Sequence, residues 1–247
     1  VVRVTSQITA SGALHTGNTN LAGLTGGLSG NISITGAGGV SISAPLVALG
    51  STNGAVTIST GNAVVTSGGV NDGVSGVMSG LNFTKNGVGV LRISGLNNYT
   101  GTTVIGGGTL QLGSGTSVPD GSALSFSAAG TALDMNGNSE TIGSLASASG
   151  FGMVTSSSAG TITLNTGGNN TSTTYTGLIE DGSGTVLLTK SGSGQFTLST
   201  TANTYSGLTT VGAGILEVRH SSSLGSVAGG TSVTNGATLY VNNNISV

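Results

Sequence analysis

The chain has 247 residues, of which 36% are hydrophobic, only 5% are charged, 47 are glycine and none is cysteine, with a formal net charge of −2. A typical soluble domain is about 25% charged, and disordered chains combine low hydrophobicity with high charge, so a mean hydropathy of +0.30 excludes disorder as the reason for the deficit. Disulfides and thiolate metal sites are excluded too, and because Arg3, Lys85, Arg92, Lys190 and Arg219 stand singly, there is no basic stripe and nucleic acid is not an expected partner.

In the first quarter, short apolar pieces recur every seven to nine residues: Ile32-Ser33-Ile34, Val40-Ser41-Ile42, Leu46 to Leu49, Val56-Thr57-Ile58 and Val64-Val65. Turn formers such as Gly36-Ala37-Gly38-Gly39 and Thr52-Asn53-Gly54 separate them. Val, Ile and Leu alternate with Ser, Thr and Gly, which is the period of a strand, whereas Gly and β-branched residues weaken a helix by up to roughly 1 kcal/mol each. The segment from Gly30 to Thr35 returns 24 positions later from Gly54 to Ser59. Three strands and three turns in about two dozen residues predict one coil of a three-faced solenoid.

Further along, Lys85-Asn86-Gly87-Val88-Gly89 returns 105 positions on as Lys190-Ser191-Gly192-Ser193-Gly194, and Tyr99 returns 106 positions on as Tyr205. The second offset persists through Gly108-Thr109-Leu110 against Gly214-Ile215-Leu216, and through Gly130 to Asn136 against Gly236 to Asn242. The expected organisation is one continuous solenoid over 1–247, with less typical coils in 1–69, a first repeat block in 70–175 and a second, incomplete block in 176–247. The predicted fold is all-β: a right-handed, single-stranded parallel β-helix with three short strands per coil. Backbone groups would bond the coil above and below, with turns where Gly or Asn takes positive φ.

The runs from Leu188 to Val218 and from Phe83 to Leu112 resemble the autotransporter-associated β-strand repeat, whose pattern is a Lys-x-Gly-x-Gly turn, a strand, Asn-x-Tyr-x-Gly, Thr-Thr-Val and Gly-x-Leu. That resemblance implies the passenger region of an exported bacterial surface protein, folded as a right-handed β-helix and either adhesive or a spacer. The stretch from Val1 to Val70 lacks the motif elements. Val1 is not an initiator Met, Val247 follows a short Asn run, and both ends are read as cuts from something longer.

Some parallel β-helices are enzymes, and this chain carries acids and histidines that could serve one. Asp134 with Glu140, or Glu180 with Asp181, offers the carboxylate pair a glycosidase needs, but Asp181-Gly182-Ser183-Gly184 reads as a turn and Asp134 aligns with Tyr240 of the other block. His220 lies near Glu217 and Ser221 to Ser223 without a Gly-x-Ser-x-Gly elbow, and His15 sits in a polar loop. Asn71-Asp72-Gly73 and Glu180-Asp181-Gly182 are isolated turns without a second set of calcium ligands. Lys85 and Lys190 are read as exposed entries to turns, and Tyr99 and Tyr205 as packing at coil corners. An ice-binding face is not expected, because Thr161-Ile162-Thr163 shows no stacked counterparts at coil spacing.

No catalytic, cofactor or metal residue is therefore assigned. The expected function is a non-catalytic structural or adhesive stalk segment, extracellular or on the bacterial outer surface. The alternatives are a filament subunit stacking end to end and, remotely, a carbohydrate-active β-helix enzyme. Expected partners are another copy of the chain at its ends or a host or neighbouring-cell surface or glycan. No apolar run reaches the ~20 residues of a spanning helix, Trp is absent and aromatics total 3%, so this segment is not expected to cross a membrane.

Overall fold

A computed structural model describes residues 82–95, 97–199, 203–242 and 245, together with the backbones of eight strands between residues 8 and 71. Those eight are β1 (Ile8–Ser11), β2 (Thr19–Asn20), β3 (Gly30–Thr35), β4 (Val40–Ile42), β5 (Leu46–Val47), β6 (Ala55–Thr60), β7 (Val64–Ser67) and β8 (Val70–Asn71). Next come β9 (Asn82–Asn86), β10 (Val90–Ile93), β11 (Thr103–Ile105), β12 (Thr109–Leu112), β13 (Ala123–Phe126), β14 (Ala132–Asp134), β15 (Glu140–Ile142), β16 (Ser144–Ser147), β17 (Met153–Ser156) and β18 (Thr161–Thr166). The last are β19 (Thr173–Tyr175), β20 (Leu178–Gly182), β21 (Thr185–Lys190), β22 (Gln195–Leu198), β23 (Thr209–Val211), β24 (Ile215–Val218), β25 (Thr231–Val233) and β26 (Thr238–Val241).

Every strand pair among the described residues is parallel, and no helix is present among them. Strands pair with strands one coil away, never with their sequence neighbours. The sheets run β1-β3-β6-β9-β11-β13-β16, then β2-β4-β7-β10-β12-β14-β17-β20, β15-β18-β21-β23-β25, β19-β22-β24-β26 and β5-β8. The chain is a parallel β-solenoid. Although the N-terminal stretch lacks the repeat motif, its strands β6 and β7 pair with β9 and β10 and so join the same sheets.

Strand content varies from coil to coil. The turn from β9 to β11 holds two strands and that from β13 to β16 holds three, so a uniform three per coil is not what the sheets show. Coil length varies as well. Gly30 pairs with Val56, 26 residues on, and not with Gly54 as the 24-residue repeat suggested, while Val90 pairs with Thr109 after 19.

Alternation of side chains along the strands builds the core. Leu91, Leu110, Leu133 and Val154 lie in register on β10, β12, β14 and β17, and all are fully buried. Each such burial is worth about 1.5–3 kcal/mol. Residues one step along face outward and form a polar rank, Arg92, Gln111, Asp134 and Thr155.

Candidate functional site

The repeat motif centres on its lysines, and here the structure corrects the sequence reading. Lys85, in β9, and Lys190, at the end of β21, are not exposed: both are fully buried. The Lys85 ammonium donates to the carbonyls of Asn86 and Gly87 at 2.8 Å each and of Gly107 at 2.7 Å. Lys190 repeats the arrangement with Ser191 O at 2.6 Å, Gly192 O at 2.9 Å and Ala213 O at 3.1 Å.

An ammonium has three donors and no acceptor, so three carbonyls saturate it. Two come from the turn that follows the lysine and the third from the turn one coil on, so each lysine pins two successive coils together at a corner. Gly87 at φ 76° and Gly192 at φ 68° give the turn its left-handed step. Burial pushes the Lys85 amine down to about 8, and burial lowers Lys190 as well.

The Asn-x-Tyr element forms a second corner. Tyr99 and Tyr205 are buried, and their hydroxyls bond Thr103 Oγ1 at 2.7 Å and Thr209 Oγ1 at 2.6 Å. Burial pushes the Tyr205 phenol up to about 12. Asn203 spans three coils: its Oδ1 accepts from the Ile179 N–H at 2.9 Å, and its Nδ2 donates to Ser223 O at 2.7 Å. Asn97, its counterpart, donates to Gly95 O at 3.2 Å and Thr116 O at 3.3 Å.

The carboxylates weighed for catalysis are each taken up locally. Asp134 accepts from Gln111 Nε2 at 2.8 Å, Ser157 Oγ at 2.7 Å and the Ser157 N–H at 2.8 Å, and these bonds hold it below the usual carboxylate range against the opposing effect of burial. Asp181 ties β20 to the chain one coil on through Ser206 Oγ at 2.6 Å, and takes the Val186 N–H at 2.8 Å. Glu180 accepts from Thr155 Oγ1 at 3.2 Å.

Glu217 receives Arg219 Nε at 2.8 Å, Gln195 Nε2 at 2.7 Å and Asn242 Nδ2 at 2.7 Å, and the Arg219 bond holds its carboxyl low. His220 Nδ1 accepts the Ser222 N–H at 3.1 Å and Ser223 Oγ donates to Leu198 O at 3.3 Å, so that nitrogen and that hydroxyl are bonded elsewhere and not to each other. His15 and Asp72 lie outside the described residues.

Glu140 differs from the other acids. It is buried at the start of β15, its Oε2 accepts the Ser117 N–H at 3.2 Å, and its Oε1 has no partner. Burial pushes its carboxyl up to about 8, against the lowering effect of the Ser117 and Val118 N–H groups. The folded value lies above the ordinary 4.5, so the unfolded chain binds fewer protons between roughly pH 4.5 and 8, and stability falls as pH rises through that window. Denaturant titrations at pH 5 and pH 8 are expected to show this loss in the native protein and a smaller one in Glu140→Gln; equal losses would refute the assignment.

Two stretches, residues 83–112 and 188–218, match the family described as the passenger-associated-transport-repeat. Each holds one lysine cage and one buried tyrosine. Over 133 residues the chain is 35% identical to the adhesin BmaC autotransporter of Brucella suis biovar 1 (strain 1330), an alignment covering 54% of this chain and 4% of that relative. No solved structure matches the chain.

Proposed function

We propose that this chain, two stretches of which match the passenger-associated-transport-repeat, is an autotransporter-passenger β-helix segment at the bacterial outer surface or outside the cell, and that it serves as a stiff, non-catalytic stalk with an adhesive flank. The observation that carries the reading is the pair of lysine cages. They place two of the chain's five cations in coil-to-coil pinning, where they stiffen the rod and are withheld from any ligand. Engagement of Asp134, Asp181 and Glu217 by ladder and turn groups supports the same view, and the adhesin name of the relative supports the adhesive half.

In this reading residues 1–247 form one continuous solenoid, with a variable N-terminal coil set in 1–69 and repeat blocks in 70–175 and 176–247. It winds right-handed, as parallel crossovers in a sheet almost always do. Its partners are a host or neighbouring-cell surface or glycan. Small-angle scattering is expected to give a rod profile, and coated beads are expected to adhere to host-matrix or glycan surfaces. A compact globular profile would refute the stalk.

A second reading is a filament subunit stacking end to end, because a parallel strand edge is a template for another strand. Sedimentation at rising concentration decides it, with a lone monomer at every concentration counting against stacking.

A further inference from the structure

The outer face of the sheet that begins with β15 carries no charge. Its outward positions form a rank of hydrogen-bonding side chains in strict register, one per coil: Thr141, Asn165, Thr189, Thr210 and Ser232. Thr161 lies on Thr185 but Thr163 lies on Leu187, so the Thr161-Ile162-Thr163 pattern is not repeated in the next coil. The Thr163 N–H also bonds Ser139 Oγ at 3.0 Å.

At the head of the rank lies a groove of about 250 Å³, lined by Gly115, Ser139, Glu140, Thr141, Thr163, Asn165 and Thr189. It exists because β15 is the first strand of its sheet, leaving the preceding coil with a turn and no strand above it. Two buried oxygens on residues bordering this groove have no partner: Glu140 Oε1 and Asn165 Oδ1. Buried polar atoms are nearly always bonded, so two orphans at one groove call for hydrogen-bond partners that the chain does not supply.

We propose that this face binds an uncharged, hydroxyl-rich carbohydrate, with one sugar residue in the groove and following residues laid along the Thr141–Ser232 rank. The site rests on the adhesive reading and specifies its ligand. Sugar hydroxyls both donate and accept, which matches threonine, serine and amide groups and either state of the orphaned oxygens. The groove falls below the roughly 300–1,000 Å³ of sites for drug-sized ligands, which suits a single ring. The rank offers a group every ~4.8 Å on a rigid backbone, so a chain of repeating hydroxyls meets preordered partners.

Charge excludes the rivals. No Lys or Arg occupies an outward position on β15, β18, β21 or β23 to pair with an anionic glycan. A calcium ion takes six to eight oxygens, commonly several of them carboxylate, whereas no group of three His, Cys, Asp or Glu suited to a metal occurs among the described residues.

Saturation-transfer NMR on the intact chain with glucose, galactose, mannose, N-acetylglucosamine, their short oligomers and sialylated oligosaccharides tests the site. Transfer is expected from at least one neutral sugar, stronger for its oligomer, and Thr163→Val with Asn165→Leu is expected to weaken binding about tenfold while leaving the melting curve unchanged. The site is overturned by transfer that survives both substitutions, by transfer from sialylated probes alone, by silence from every probe, or by calcium chloride shifting the Thr163 and Asn165 amide resonances where sugars do not. Bead adhesion separates this site from the broader reading. Adhesion equal in wild type and double variant removes the site and leaves the adhesive role, whereas a wild type that adheres to nothing removes the adhesive role.

Discussion

Lys190→Met is expected to lower the unfolding free energy by about 3 kcal/mol, the net of two opposing effects. Methionine fills most of the space but leaves the carbonyls of Ser191, Gly192 and Ala213 without their donor, and each buried carbonyl left unpaired costs about 1–3 kcal/mol. Against that stands relief from burying a cation with no carboxylate partner, the same burial that lowers the amine's affinity for its proton. The loss of three bonds outweighs the relief because the turn carbonyls are fixed by the coils around them and cannot swing out to water.

Lys85→Met is expected to behave alike. The two losses are expected to add, because the cages share no partner and distant sites are additive within about 0.5 kcal/mol. Urea titration of both single variants and the double variant at pH 7 is the measurement. A loss below about 1 kcal/mol in each single variant would mean that the carbonyls find other donors and that the lysines are not pins. A pH series adds a check of sign: the Lys85 amine is lowered from 10.5 to about 8 in the fold, so the unfolded chain binds more protons between those values. Stability should rise with pH across that window by this group's contribution, and the rise should be smaller in Lys85→Met.

The lysines also show where sequence reasoning reaches its limit. Alternation of apolar and polar residues was legible because a solenoid stacks like on like, as Leu91 on Leu110 on Leu133. A lysine before Gly-x-Gly has the local signature of a surface turn. Only the three-dimensional path shows that the turn's carbonyls face inward, two from one coil and one from the next. A usable signal was present in that lysine recurs at this position in a chain with only five cations.

The long repeat was legible too, but not its placement. The first copy of the motif lies in β9 to β12, on the seven- and eight-stranded sheets, whereas the second lies in β21 to β24, on the five- and four-stranded sheets. An offset of 105 or 106 residues is not a whole number of coils when one coil takes 19 residues between Val90 and Thr109 and another takes 25 between Met153 and Leu178. The two lysine pins consequently fasten different edges of the rod. The groove beside Glu140 was invisible for a related reason: it depends on where a sheet starts, and no local pattern marks that the coil before β15 lacks a strand on this face.

Gly214→Ala is expected to cost about 3 kcal/mol or more, combining backbone strain with a direct clash. Gly214 has φ 62°, where an added Cβ brings about 1–2 kcal/mol of strain by itself. That Cβ would also lie 2.5 Å from Gly192 O and 2.6 Å from Gly194 O, the carbonyls of the turn one coil before. Gly192 O is already bound to the Lys190 ammonium, so moving it to make room also loosens the cage. Gly236 supplies the control: at φ 86° it bears the same conformational strain, but nothing lies within 4 Å of its added Cβ. Gly236→Ala should therefore cost only about 1–2 kcal/mol. The difference between the two variants, read from urea midpoints, isolates the close approach of stacked turns. Equal losses would mean that the stacked turns part to admit a methyl group and that coil contact at this corner is looser than the hydrogen bonds around Lys190 imply.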